Sequence, residues 1–464
     1  MTALVSALGT KFKHPKGLYI LFFTEMWERF SYYGMRAILV LYLVAETKNG
    51  PMGGLGWSKG DALALYGWYT MLVYVASIPG GWLADRVFGA RKAVMFGGLL
   101  LCIGHFLLAF HGLFLFYTSL GFIIAGVGLL KPNISTLVGT LYAPGDPMRD
   151  KGFTTFYIGI NVGAFLSSFV VGTVGELIGW HYGFALAGVG MLLGQAVFVW
   201  GQKYIISVDH ESGINQKLTD AQKNIPLTRI EKDRMGVMFL SFLIVVVFWG
   251  AFEQAGGLMN LYTLEKTNRF LLGWEIPASW FQSLNPFFIM IFGTMAAQFW
   301  YVRAKLKKES SSLYKMALGT MIMGFGFVFM VFATMQTSSG TQASMIWLIL
   351  AYLFHTIGEL FASPVALSFI TKLAPVKYAS LMMGVYFATT GFGNKLAGLL
   401  GEWSENAGEF AIFGGIAAFT ILFGLIMIAF LKPLKRLTHG AEDETPPPSS
   451  AKLAKDEIAT IEYG

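Results

Sequence analysis

One cysteine, Cys102, serves the whole 464-residue chain. A single thiol cannot close an internal disulfide, and its isolation excludes every Cys-rich metal site. Charge is equally scarce. Asp, Glu, Lys and Arg make up 13% of the residues, about half the roughly 25% usual in globular proteins. A chain so poor in charge cannot give several soluble domains a polar surface. No GxxxxGK[ST] loop is present, which argues against ATP as an energy source. The Gly-rich stretch 50–56 follows no strand and opens no βαβ unit, so it is no nucleotide site. No nucleophile–base pair or metal-ligand cluster stands out, and the chain reads as a non-enzyme with no bound metal or organic cofactor. A cleavable signal peptide is also missing, because the basic Lys11–Lys16 stretch leads into an apolar block too long for a signal sequence.

What the sequence has instead is apolar length. Hydrophobic residues reach 55%, with 41 Phe and 12 Trp, in blocks long enough to cross a hydrocarbon layer that takes about 20 residues. Twelve spans are expected, near 17–46, 59–87, 92–111, 113–143, 149–178, 181–204, 233–264, 276–306, 314–336, 342–374, 377–406 and 408–434. Of the 34 Lys and Arg, only Lys48, Lys59, Lys266 and Arg269 fall in external loops and four lie in spans, if the N-terminus is cytoplasmic. This bias places both termini in the cytoplasm of a cell whose inner (plasma) membrane holds the protein. The formal charge of +7 is therefore topology, not nucleic-acid binding. The polar linker 205–232 divides the chain into six-helix bundles at 17–204 and 233–436, the all-α major facilitator architecture. Residues 1–16 form a cytoplasmic segment, and 437–464, with EDETPPPSS, reads as a disordered cytoplasmic tail.

Charges inside spans cost about 2.5–3.5 kcal/mol each on insertion scales, so they face interior cavities. Eight lie deep: Glu25, Glu28, Arg29 and Arg36 in the first span, then Lys131, Glu253, Glu359 and Lys395. At about 100° per residue, Glu25, Glu28, Arg29, Tyr32 and Arg36 fall within roughly 60° of one line, with Tyr33 beside it. A stripe used only for packing needs two charges, not four. Depth suggests an outer pair, Arg36–Glu253, and an inner pair, Lys131–Glu359. Two such bridges around a central cavity would let one open as the other closes.

Longer motifs sharpen this. Glu25–Tyr42, EMWERFSYYGMRAILVLY, resembles the ExxERFxYYGMR signature of the proton-dependent oligopeptide transporter family of the major facilitator superfamily. GGWLADRVFGARK, FYIGINVGAF, FWGAFEQAG, SLNPFF and GELFASPVAL follow in the family's order, so the resemblance covers about 15–436. It implies proton-coupled symport of di- and tripeptides, possible acceptance of peptide-like drugs, and function as a monomer. Carried onto matching positions, Arg29 and Lys131 would hold the peptide carboxylate and Glu359 the ammonium. Tyr32, Tyr33, Tyr74, Asn161, Asn285 and Ser363 would complete the pocket, with Trp249 and Tyr386 shaping side-chain subpockets. Glu25, Glu28, Arg29 and Glu253 would couple the proton, the only cofactor-like species required. Asp85, Arg86 and Arg91 would clamp the cytoplasmic ends. Tyr386 stands where the family usually has Trp, Ala164 where it commonly has Ser, and Ala366 where Gly is common. The connection between the halves is too short and polar for the extra helix pair of many bacterial members.

Other readings stay open at this level. Asn285-Pro286 is compatible with a kink as well as a ligand contact. His355, one turn from Glu359, reads as structural ahead of a proton relay, and His105 as structural. Lys395 can simply bridge helices. Within the family the rival function is transport of a small anion such as nitrate, which has no use for Glu359; outside it the rival is a membrane scaffold, which has no use for buried charge.

Overall fold

Helix ends follow local chemistry. The Ser58 side chain accepts from the Asp61 backbone N–H, and Thr228 forms a reciprocal capping box with Glu231, so two long helices begin where their side chains satisfy free N–H groups. Gly89 at φ 74° and Gly408 at φ 79° each serve as a one-residue link between spans, a conformation that suits glycine. The computed structural model describes residues 14–142, 146, 148–205, 226–375 and 378–441. Most of the expected N-terminal segment, linker and tail lies outside these residues.

Ten helical stretches are long and apolar enough to cross a membrane. In the N-terminal half they are α2 (Lys59–Phe88), α3 (Ala90–Leu107), α4 (Leu113–Thr140), α5 (Lys151–Leu177) and α6 (Trp180–Tyr204). In the C-terminal half they are α7 (Arg229–Lys266), α8 (Ala278–Lys305), α9 (Ser312–Ser338), α10 (Met345–Leu373) and α12 (Glu409–Ala429). Two further 29-residue helices, α1 (Lys16–Val44) and α11 (Ala379–Ala407), are long enough to span but richer in polar and charged side chains. The described residues thus hold an all-α membrane protein with twelve long helices.

The expected boundaries shift at two places. α7 starts at Arg229, inside the expected linker, because the Thr228 cap starts it there. Residues 437–441, assigned to a disordered tail, are tethered: Arg234 donates to the carbonyls of Thr438 and His439 at 3.0 and 3.2 Å, and His439 lies 2.7 Å from Asp233. They follow a short helix, α13 (Leu431–Leu437).

Two small sheets lie at the α7–α8 and α9–α10 connections. β1 (Thr267–Asn268) pairs in parallel with β4 (Ala343–Ser344), and β2 (Phe270–Leu271) pairs antiparallel with β3 (Trp274–Glu275). Within each half, α1 packs on α5 and α6, and α9 packs on α10 and α12. Across the halves, α2 meets α11 and α5 meets α8. At Gly67 a Cβ would stand 2.8 Å from the Gly398 Cα, so α2 and α11 touch backbone to backbone.

Candidate transport site

Most of α1 from Thr24 to Leu43 is buried, and its four charged residues there are at most 8% exposed. Arg29 Nε lies 2.8 Å from Glu25 Oε1 and 2.6 Å from Glu28 Oε2, so one guanidinium is shared between two carboxylates. Neither contact is an aligned hydrogen bond, since Arg29 Nε and both Glu28 oxygens lack one. Charge attraction, not donor geometry, holds this triad. The Arg29 guanidinium also sits 5.9 Å from the ring centres of both Tyr32 and Tyr33. Lys131, beside the helix-interior Pro132 of α4, places Nζ 3.8 Å from the centre of the Tyr74 ring.

The side of this site toward the small sheets is sealed by charge. Arg36 Nη1 lies 3.2 Å from Glu253 Oε1, and the Tyr66 hydroxyl donates to Glu253 Oε2 at 3.0 Å. Glu253 is reached because α7 tightens into a 3-10 turn over Glu253–Ala255. The following Gly256 makes room, as a Cβ there would lie 2.0 Å from the Tyr66 hydroxyl. Further out, the Asn260 amide donates to the Ala37 carbonyl at 2.8 Å, and Lys59 pairs with Glu265.

Below the seal lies a cavity of ≈ 140 Å³ between the halves. α1, α2 and α5 contribute Tyr33, Arg36, Tyr74 and Asn161 to its wall. α7, α8 and α10 contribute Trp249, Glu253, Asn285 and Glu359. On the far wall the Asn285 amide donates to Glu359 Oε2 at 2.7 Å and also lies 3.2 Å from the Thr356 hydroxyl. The cavity is therefore bipolar in layout, with cations on α1 and α4 and the Glu359 carboxylate on α10. A concave space lined by aromatic walls with a few fixed polar groups suits a small organic ligand.

The sequence profile of the POT family matches residues 91–224 and 222–413. The chain belongs to the POT family. It is 38% identical to the transporter YclF of Bacillus subtilis (strain 168) over 480 residues, covering 92% of this chain and 96% of that one. It is 32% identical to the di-/tripeptide transporter of Lactococcus lactis subsp. cremoris, with 92% and 97% covered. The crystal structure of a peptide transporter POT in complex with alafosfalin superposes with a TM-score of 0.85 at 37% identity, covering 92% of this chain and 96% of that one.

The inner pair Lys131–Glu359 is open in this conformation, in which the outer pair is made: Lys131 rests on the Tyr74 ring while Glu359 is held by Asn285. Several other expected placements need correction. Tyr32 is 5% exposed and packs edge-on to Tyr33; Tyr33, not Tyr32, meets the cavity. Arg29 and Lys131 lie behind the aromatic rings rather than on the cavity wall. Ser363 lines a separate small crevice shared with Trp249 and Phe248. Tyr386 is buried in the apolar core of the C-terminal half and does not line the cavity.

The cytoplasmic clamp is not engaged. Asp85 and Arg86 are exposed on a π-helical turn, with Arg86 5.7 Å from the Trp82 ring. Among the described residues no ion pair joins them or Arg91 to a partner. Exposed pairs of this kind gain little in water. Lys395 lies 4.5 Å from the ring of Trp68 on the opposite half, and so bridges helices. His355 and His105 have no hydrogen-bond partner on either nitrogen among the described residues, and His355 packs 4.5 Å from the Phe327 ring.

Residue-by-residue reading missed Tyr66, Tyr157 and Glu176. Tyr66 had a legible signal in the Gly256-Gly257 pair, which marks a close approach to α7. Tyr157 lines the cavity one turn before Asn161, whose amide donates to the Tyr157 carbonyl at 2.9 Å. Glu176 sits at the external end of α5, where a charge reads as merely interfacial.

Proposed function

We propose that this protein is a proton-coupled symporter that imports di- and tripeptides by alternating access. The observation that carries the proposal is the bipolar cavity, with Arg29 and Lys131 behind one wall and Glu359 on the other. A zwitterionic peptide needs a cation at one end and a carboxylate at the other, separated by adaptable polar and aromatic walls. Its carboxylate displaces the Tyr74 ring as the partner of Lys131 and competes with Glu25 and Glu28 for Arg29. Its ammonium takes a place beside Glu359. A buried carboxylate that loses its cation becomes costly as an anion and takes up a proton. Proton and peptide then bind together.

Arg36, Glu253 and Tyr66 form the outer gate, closed in this conformation. Glu25, Glu28 and Glu253 are the carboxylates available to carry the proton. Peptide-like drugs that keep both charged ends fit the same cavity. The protein works as a monomer in the cell inner membrane with both termini in the cytoplasm. The Lactococcus relative's description as a di-/tripeptide transporter supports the substrate class.

The test is uptake of radiolabelled dialanine into proteoliposomes under an imposed pH gradient. Uptake is expected to accumulate dialanine against its gradient when the interior is alkaline. Uptake indifferent to the gradient removes the proton coupling, and no uptake of any dipeptide removes the substrate class. Nitrate uptake in place of dialanine uptake would favour the anion reading.

A further inference from the structure

We propose that Glu176 is a second, proton-sensitive latch of the external gate, separate from the Arg36–Glu253 bridge. The proposal rests on the alternating-access reading, but it concerns the gate and not the peptide. Glu176 ends α5 and reaches across to the start of α8. One carboxylate oxygen accepts the Ala278 N–H and the other the Ser279 N–H, each at 2.8 Å. The contact belongs to a fitted patch: the Trp280 indole N–H donates to the Thr173 hydroxyl at 2.8 Å, and its ring meets Phe169 at 4.6 Å. At Gly172 a Cβ would stand 2.0 Å from the Ser279 hydroxyl, so the two halves touch here without space for a side chain.

An ionised carboxylate accepts two such bonds as charge-assisted contacts; a protonated one accepts them only as a neutral group, with the buried Ser279 hydroxyl beside it. Outward opening must part Glu176 from Ala278 and Ser279. External acid, by placing a proton on Glu176, therefore favours opening toward the side from which protons enter. The charged neighbour is Arg269 of the β1–β2 link, itself 2.6 Å from Glu275. On the α1 and α6 sides the packing is made by Gly175 against Ile38 and Gly183, which carry no charge. Glu176 is thus tied to the halves' separation through backbone donors and has one cation near it.

The test is a distance measurement between spin labels at Ile178→Cys and Leu272→Cys, in the full-length protein with Cys102→Ser, in nanodiscs without peptide. Both label sites are exposed, at 56% and 100%. The long-distance, outward-open component is expected to grow between pH 7.5 and 5.5 in the parent. In Glu176→Gln it should be at least threefold larger at pH 7.5, with the pH-dependent change halved or less. Trp280→Phe, which loosens the same patch without touching a titrating group, should enlarge the open component and keep the pH response. An unchanged distribution in Glu176→Gln, a parent without pH response, or an equal loss of response in Trp280→Phe overturns the latch. Failure of dialanine uptake would leave this result untouched, so the two proposals fail separately.

Discussion

Tyr66→Phe removes one hydroxyl and nothing else from the outer gate. In the closed conformation that hydroxyl donates to Glu253 Oε2 at 3.0 Å, while Arg36 holds the other oxygen at 3.2 Å. Hydrogen bonds to charged groups contribute about 1.5–3 kcal/mol. Because Arg36 keeps Glu253 neutralised, the lower end applies, about 1.5 kcal/mol. That is roughly a tenfold shift of the closed-to-open ratio. The shift can be read chemically. Ala255 is 7% exposed and lies behind the gate on the cavity wall. In a Cys102→Ser background, Ala255→Cys should react slowly with a membrane-impermeant maleimide added outside, and about tenfold faster once Tyr66→Phe is added. An unchanged rate would show that the Tyr66–Glu253 contact carries none of the gate's free energy and would refute the reasoning. Arg36→Ala is the stronger perturbation, since it strands a buried carboxylate at about 3–5 kcal/mol.

The remaining predictions are briefer. Glu359→Gln should erase the preference for dialanine over its analogue lacking the amino group, a loss of about 10- to 100-fold in relative affinity from one charge-assisted contact of about 1.5–3 kcal/mol; competition binding that still separates the two ligands contradicts it. Gly67→Val should stop the external halves from closing, because even a Cβ would lie 2.8 Å from the Gly398 Cα; uptake falling less than about tenfold in a variant that still folds counts against a backbone-to-backbone seal. Glu309, in the cytoplasmic loop after α8, is pushed up by burial, but Ser311 and Lys435 prevail and hold its carboxyl below the ordinary value. Its stabilisation is therefore full above the ordinary carboxylate range and disappears as pH falls through the lowered value. Glu309→Gln should cost a few tenths of a kcal/mol near pH 7, as expected for a partly exposed pair, and progressively less as pH falls below the ordinary carboxylate range, by thermal unfolding; a difference that does not shrink with falling pH contradicts it.

Much of this was legible because lipid imposes simple rules. Spans show as apolar runs, and buried charge shows as an anomaly that must face an interior. α1 announced both its burial and its role as a cavity element through Glu25, Glu28, Arg29 and Arg36. Depth alone brought Arg36 to Glu253, because both sit high on helices that meet under the small sheets. The inner pair is open where the outer one is made: Lys131 leaves α4 toward Tyr74 and Glu359 leaves α10 toward Asn285. Tyr32 and Tyr33 differ by one residue, about 100° of helix, and the cavity meets the edge of the charged stripe rather than its centre line. Tyr386 entered on alignment alone, with no charge or phase to support it, and it packs in the core. Glu176 escaped notice because its partners are backbone N–H groups at the start of α8, which no side-chain pattern reveals.

The central claim is an exchange at Arg29, from Glu25 and Glu28 to the peptide carboxylate, accompanied by a proton. Proton release or uptake on peptide binding tests it directly, by titrating detergent-solubilised protein in weakly buffered solution near pH 7 with a pH indicator. Dialanine is predicted to draw protons from solution, dialanine with an amidated C-terminus to draw none, and Glu25→Gln/Glu28→Gln to reduce the uptake. Dialanine binding with no change in bulk proton concentration would contradict the exchange.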